Sequence, residues 1–170
     1  MILQDIISLS LSSTPQSFLG VISAPVLVQF HSRRRFSSSS SGTSLSDPSK
    51  KNLPQVIQLL RQGNNFPVFF LQPKGVPGVV RAGRSEQNDL VFADDTVSAR
   101  HAVFLFHPTT KTVSVKDLAS SNGTWVNGQR LVATTEAVLF DGDTLYLGEL
   151  GFLFFYPHGL YEVMCNLVKR

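Results

Sequence analysis

A chain of 170 residues, 42% of them hydrophobic and 13 of them Phe, has enough apolar mass to bury one core unaided, so disorder throughout is excluded. The formal charge of +3 is unevenly spread, with four Lys/Arg against two Asp in residues 1–50 and eleven against ten in residues 51–170. A near-neutral body whose sole dense basic cluster is Arg33-Arg34-Arg35 argues against a general nucleic-acid binder, and a single cysteine excludes an intramolecular disulfide framework or a Cys-based zinc site.

Cysteine usage of this kind fits a reducing compartment, so the cytoplasm is the expected location. Cys165 itself lies in the apolar run Val163-Met164-Cys165, where a buried, inert thiol is expected. No segment reaches the ~18 uninterrupted apolar residues that a membrane-spanning helix needs.

Residues 1–51 admit two readings. Ser-rich composition, few acids and the run Arg33-Arg34-Arg35-Phe36-Ser37 resemble an organelle transit peptide, which would direct the chain to an organelle if residues 1–36 were removed. Against that, Phe18-Leu19 reads as a short apolar turn and Pro25 to Phe30 as a strand, followed by a flexible loop from Ser37 through Ser41 and Gly42. This second reading makes residues 1–51 an amino-terminal extension with an extra strand at 25–30, and residues 52–170 the domain. Arg33 to Arg35 is then a solvated charge run.

Leu53, Val56, Ile57, Leu59 and Leu60 share one helical face, which predicts a short helix over 53–61. Gly63-Asn64-Asn65 follows, residues that tolerate left-handed backbone and end a helix. From Phe66 the pattern turns to short β-prone runs at 66–71, 79–82, 90–92, 102–106, 112–116, 124–126, 144–147 and 152–156, with no room for a long helix between them. Their spacing, close to 8–12 residues per turn signal, predicts a two-sheet antiparallel β-sandwich. Alternation in Thr112-Val113-Ser114-Val115-Lys116 puts the valines on the core face and the polar residues on a wet one. Asn127-Gly128 marks a two-residue hairpin, because both residues accept positive φ.

Four turn clusters carry residue types too specific to be generic: Gly83-Arg84-Ser85, Ser98-Ala99-Arg100-His101, Ser121-Asn122-Gly123-Thr124 and Asn127-Gly128. A phosphate dianion wants charge-assisted donors, and Arg84 offers a guanidinium fork while Ser98 adds a hydroxyl. Gly83 and Gly123 supply positive φ or close approach without a Cβ.

In this order and spacing, with Asp117-Leu118 ahead of Ser120-Ser121, the clusters resemble the forkhead-associated family, bacterial single-domain members included. The resemblance implies a non-catalytic phosphothreonine-peptide reader in Ser/Thr kinase signalling, its partner a phosphorylated protein that is a kinase or a kinase substrate, with no cofactor and no metal. It assigns Arg84, Ser98 and Asn122 to the phosphopeptide, with Ser121 and Arg100 in support. It makes His101 a loop brace, with Gly83, Gly123, Thr124 and Asn127 as structural support.

Ala99 departs from the Asn or Arg common at that position in the family, which implies weaker ligand contact. The alternative function is a phosphorylation-independent scaffold. A hydrolase is a distant third, since Ser98 and His101 lack an orienting acid in a known motif. Asp94-Asp95 and Asp141-Gly142-Asp143 lack calcium-loop spacing and read as turns, and His31, His107 and His158 are not grouped as metal ligands.

Overall fold

The computed structural model describes residues 1–30, 53–63 and 65–168. His31, the Arg33 to Arg35 run, the serine-rich stretch and Asn64 lie outside the described residues. In chain order the elements are α1 (Leu3–Ser12), α2 (Pro15–Val21), β1 (Val26–Phe30), α3 (Leu53–Leu60), β2 (Val68–Phe70), β3 (Val79–Gly83), β4 (Leu90–Val91), β5 (Ala102–His107), β6 (Thr112–Asp117), β7 (Thr124–Val126), β8 (Gln129–Arg130), β9 (Glu136–Leu139), β10 (Asp143–Leu147), β11 (Leu150–Phe155) and α4 (Pro157–Val168).

Among the described residues, eleven strands form two sheets: a six-stranded one in the order β2-β1-β11-β10-β7-β8 and a five-stranded one in the order β4-β3-β5-β6-β9. All pairs are antiparallel except β3 with β4. The fold is the predicted β-sandwich.

Between the sheets lies a core built from alternate strand residues, among them Leu27, Val80, Phe104, Val115, Leu145, Phe152 and Phe154. The intervening residues of β1 and β11, Val26, Val28, Phe30, Leu153 and Phe155, point the other way. There they meet Leu3 and Ile6 of α1, Phe18 of α2, Leu60 of α3 and Leu160, Val163 and Met164 of α4 in a second apolar cluster. Burial on both faces explains why 152–155 reads Phe-Leu-Phe-Phe rather than alternating with polar residues. β1 lies inside the sheet, registered against β11 from Val26↔Phe155 to Phe30↔Gly151 and against β2 from Val26↔Phe70.

The sequence predicts one helix, and the described residues hold three more. α1 and α2 occupy the stretch read as extension with an apolar turn, and α4 follows the last strand. Ile2 N–H donates to Asp5 Oδ2 (2.9 Å) at the start of α1, and Thr14 Oγ1 accepts from Ser17 N–H (3.3 Å) ahead of Pro15 in α2. Asp141, from the β9–β10 turn, accepts the Tyr156 N–H (2.6 Å) at the entrance of α4, which gives the Asp141-Gly142-Asp143 turn a structural role. Cys165, expected to be buried, is half-buried on α4.

Two local expectations change. Ser114 is 0% exposed on the face predicted to be wet, because its hydroxyl donates to Glu136 Oε2 (2.8 Å) and contacts His107 Nε2 (2.8 Å) beneath those longer side chains. Gly63 does not use left-handed backbone. The Phe66 ring lies 2.8 Å from where its Cβ would stand, so the need there is for close approach. Asn127 (φ 49°) and Gly128 (φ 82°) do take positive φ in the β7–β8 hairpin.

Candidate functional site

Strand directions bring the β3–β4, β4–β5, β6–β7, β8–β9 and β10–β11 connections to one end of the sandwich. There the first two are laced by main-chain bonds: Arg84 N–H to Ser98 O (2.9 Å) and Ser85 N–H to Ala99 O (3.1 Å). Gly83 makes that approach feasible. A Cβ there would stand 2.4 Å from the Ala99 carbonyl oxygen, so this glycine is required by proximity and not by φ. Asn88, 6% exposed, adds Nδ2 bonds to Ser85 O and Ala99 O, each 2.7 Å.

Ser98 is the meeting point. Its Oγ accepts the Ser121 N–H (3.0 Å) and lies 3.5 Å from Ser121 Oγ, which joins the β4–β5 and β6–β7 loops. Val97, 1% exposed in the core, anchors the chain just before it. Arg84 extends from the β3–β4 loop with its side chain 52% exposed and Nη1 3.7 Å from Asp95 Oδ1. Arg100 is exposed beside Ser98, and Ala99 is exposed with its carbonyl held as above. Asn122 is half-buried and donates from Nδ2 to Thr96 O (2.8 Å).

His101 braces this arrangement from beneath. It is 0% exposed, and its Nδ1 accepts the Ser98 N–H (3.0 Å). A main-chain N–H can only donate, so Nδ1 carries no proton and the ring is the neutral Nε2–H tautomer, which donates to Gly123 O (3.2 Å). Burial holds the imidazole below its ordinary pKa against the opposing influence of the Gly123 bond and of Asp117. Both ring nitrogens are thus committed to loop backbone, which leaves no lone pair to activate Ser98 as a nucleophile.

Asp117 organises the β6–β7 loop. Its Oδ1 accepts the hydroxyls of Ser120 and Thr124, each at 2.6 Å, and its Oδ2 the Ser120 N–H (3.0 Å). Burial pushes this carboxyl up, yet those bonds together hold it below the usual carboxylate value. Gly123 (φ +82°) closes the loop. The structure places Asn127 away from this end, at the far end of β7, where its side chain bonds Asp143 Oδ1 (2.6 Å) and Thr144 N–H (3.0 Å) and so pins β10.

Thr96 and Asn88 hold the site and were not singled out from the sequence. Thr96 Oγ1 donates to Asp94 Oδ1 (2.6 Å) and accepts the Glu149 N–H (3.0 Å), while its carbonyl takes Asn122. The Asp-x-Thr spacing is a turn signal, but nothing local announces that it reaches the β10–β11 turn, 53 residues away along the chain. Among the described residues no group of three or more His, Cys, Asp or Glu could hold a metal ion.

Comparison with known proteins agrees with this geometry. The model of the FHA domain matches residues 80–148. The chain is 32% identical over 120 residues to the oxoglutarate dehydrogenase inhibitor of Corynebacterium glutamicum, covering 68% of this chain and 77% of that protein. It is 40% identical over 78 residues to the ABC transporter ATP-binding/permease protein Rv1747 of Mycobacterium tuberculosis, of whose length it spans 8%. In fold it matches the FHA domain of the CT664 protein from Chlamydia trachomatis, with TM-score 0.50 and 19% identity, over 78% of this chain and 97% of that one. With a relative of this identity aligned over three quarters of its length, and the arginine, serine and asparagine loops at one end of a sandwich, the chain belongs to the FHA-domain family.

Proposed function

We infer that this chain is a phosphothreonine-peptide binding module that mediates phosphorylation-dependent protein–protein interaction, its partner a Ser/Thr kinase or a kinase substrate. The observation that carries the reading is the convergence of Arg84, Ser98, Ser121 and Asn122 from three loops, locked together at Ser98. Arg84 gives the dianion a guanidinium and Ser98 a hydroxyl, while Arg100 beside them raises the local positive potential. Asn122 spends one amide N–H on Thr96 and keeps its Oδ1 and second N–H for a peptide backbone. His101, Gly83, Gly123 and Thr124 hold the loops, and Asn127 the hairpin behind them.

A binding role without catalysis fits the committed imidazole, and a cytoplasmic location fits the single thiol. Residues 1–30 belong with the folded unit in this reading, since removing residues 1–36 would take the strand between β2 and β11 out of the sheet. Among the described residues, no helix is long and apolar enough to cross a membrane.

The test is fluorescence anisotropy of a degenerate phosphothreonine peptide library, its unphosphorylated counterpart, and the Arg84→Ala variant. Phosphate-dependent binding that weakens by about 10- to 100-fold in Arg84→Ala is expected from losing a charge-assisted pair. Equal binding with and without phosphate would move the weight to a phosphorylation-independent scaffold.

A further inference from the structure

We propose that β9, the outer strand of the five-stranded sheet, is a homodimer interface, on which a second copy of this chain adds its own β9 antiparallel about a two-fold axis at Ala137. Among the described residues, nothing pairs with β9 on the side away from β6. The other sheet edges offer less. β4 and β8 are two residues each, and β2 gives its Val68 N–H to Met1 O (3.0 Å).

Which main-chain groups of β9 face outward follows from one side chain. The Tyr156 hydroxyl sits between β6 and β9, accepting the Val113 N–H (2.8 Å) and donating to Leu139 O (3.2 Å). Leu139 therefore turns its carbonyl toward β6, as does Ala137 two residues earlier, because main-chain groups alternate sides along a strand. Glu136 and Val138 turn their N–H and C=O the other way. Phe140, next in that series, fits the parity: its N–H goes to Asp143 Oδ2 (2.6 Å) and its carbonyl accepts the Asp143 N–H (3.0 Å). That turn ends the open edge, so Glu136 to Val138 is the part left for a partner strand.

Self-pairing matches this edge. With the axis at Ala137, Glu136 of each copy lies opposite Val138 of the other and exchanges both main-chain bonds with it, so every outward group at 136 and 138 is paired. Ala137 meets its own copy in the closely spaced position without main-chain bonds, where Cα atoms stand about 4.5 Å apart and a small side chain fits. Phe140, 48% exposed, falls opposite Thr134 of the second copy, two residues from Val132, which is 70% exposed. Open edges are ordinarily guarded by Lys, Pro or an inward-pointing charge. From Glu136 to Phe140 there is no Lys and no Pro, and the one charge, Glu136, is held on its own sheet by the Ser114 hydroxyl (2.8 Å) and His107 Nε2 (3.3 Å). A second copy suits this edge better than a strand of another protein, because its outward groups and exposed apolar residues complement themselves under a two-fold rotation.

Arg84 follows β3 and Ser98 precedes β5, so β6 separates both from the junction. Antiparallel β9 strands send the two loop ends in opposite directions. On the phosphothreonine reading above the dimer is a bivalent reader, but the junction itself does not depend on that reading.

The interface is short, so weak association with Kd on the order of 100 µM is expected. Sedimentation velocity of the full chain, over a decade of concentration either side of that value, measures it. Val138→Glu sets a carboxylate directly opposite Glu136 of the second copy, twice over by symmetry, and should weaken association about tenfold. Val138 is 44% exposed on the outer face, so the urea midpoint of this variant should stay unchanged. Ala137→Cys, in a Cys165→Ser background, should form an intermolecular disulfide under mild oxidation, its Cα separation lying within the bridging range. A wild type that stays monomeric at the highest concentration overturns the proposal and leaves the edge to an extended segment of another protein. A dimer that Val138→Glu leaves unchanged, or that Ala137→Cys fails to cross-link, overturns it too. Phosphate-dependent binding by Arg84 is read separately, by anisotropy below the dimerisation Kd, and either result there leaves the junction standing.

Discussion

The loop end of the sandwich and the helix-covered face of its six-stranded sheet are held together by different physics. At the loop end, buried polar side chains each serve several partners: His101 joins Ser98 to Gly123, and Asp117 gathers Ser120 and Thr124. Beneath the helices, Leu3, Ile6, Phe18, Val28, Leu153, Phe155, Leu160 and Met164 simply exclude water. Directional bonds demand particular residue types at particular places, whereas apolar packing accepts many combinations of suitable volume. Mutations should therefore separate the two regions, one governing stability and the other both loop geometry and ligand affinity.

The largest separation is expected from Phe18→Ala. Phe18 is 0% exposed and packs 5.1 Å from the Tyr161 ring, so its truncation should cost about 3–5 kcal/mol in urea unfolding while the protein that remains folded binds phosphopeptide unchanged. A simultaneous loss of affinity would show that the helical layer and the loops are coupled. Gly83→Ala tests the opposite region. Its Cβ would press on the Ala99 carbonyl and displace the Arg84–Ser98 contact, so a stability loss of about 1–3 kcal/mol should come with weakened phosphopeptide binding.

The same contrast explains what the sequence reveals. Arg84, Ser98, His101, Asn122 and the Asn127-Gly128 turn stand out because turn geometry and charge-assisted bonding limit each position to a few residue types. The strands of the sandwich were legible through their turn signals and alternation. α1 and α2 were not, because their apolar residues occur in a Ser-rich stretch and gain their meaning only from β11 and α4, far along the chain. Ser114 misled for a related reason: a serine in an alternating strand reads as solvent-facing until Glu136 and His107, on two other strands, close over it. Thr96 was missed because its partners Asn122 and Glu149 come from loops that only the fold brings near.

Acid should weaken the loop end through its committed groups. His101 is neutral when folded, with its pKa held below the ordinary 6.5, so the unfolded chain takes up the proton first. The stability from this residue is therefore present above about pH 6.5 and falls as pH drops below it, by at most about 1.4 kcal/mol per pH unit. Asp117 and Asp89 act in a separate window: Asp89, just ahead of β4, accepts the Lys74 and Arg81 N–H groups (2.9 and 2.7 Å), and against burial those bonds hold it, like Asp117, below 3.8, so the contribution of both is present above that value and is lost as pH falls through their folded-state values. Urea unfolding of wild type and His101→Gln between about pH 5 and 7.5 should show a slope that the variant lacks. Parallel curves would mean that the buried imidazole is not the group responsible.

The smallest effect isolates charge from geometry. Asp95 is fully exposed, and its carboxylate, 3.7 Å from Arg84 Nη1, competes for the guanidinium and repels a phosphate dianion placed there. Its neighbour Asp94 holds the Thr96 N–H (2.9 Å), and that role would survive a change at 95. Asp95→Asn should accordingly leave the unfolding midpoint unchanged and tighten phosphopeptide binding by about two- to threefold at low salt, the gain shrinking as ionic strength screens the exposed charge. A gain that persists at high salt would point to a rearranged loop instead of a removed charge. Weaker binding would mean that Asp95 holds Arg84 in its binding posture, so that even this exposed pair belongs to the directional lacing of the loop end.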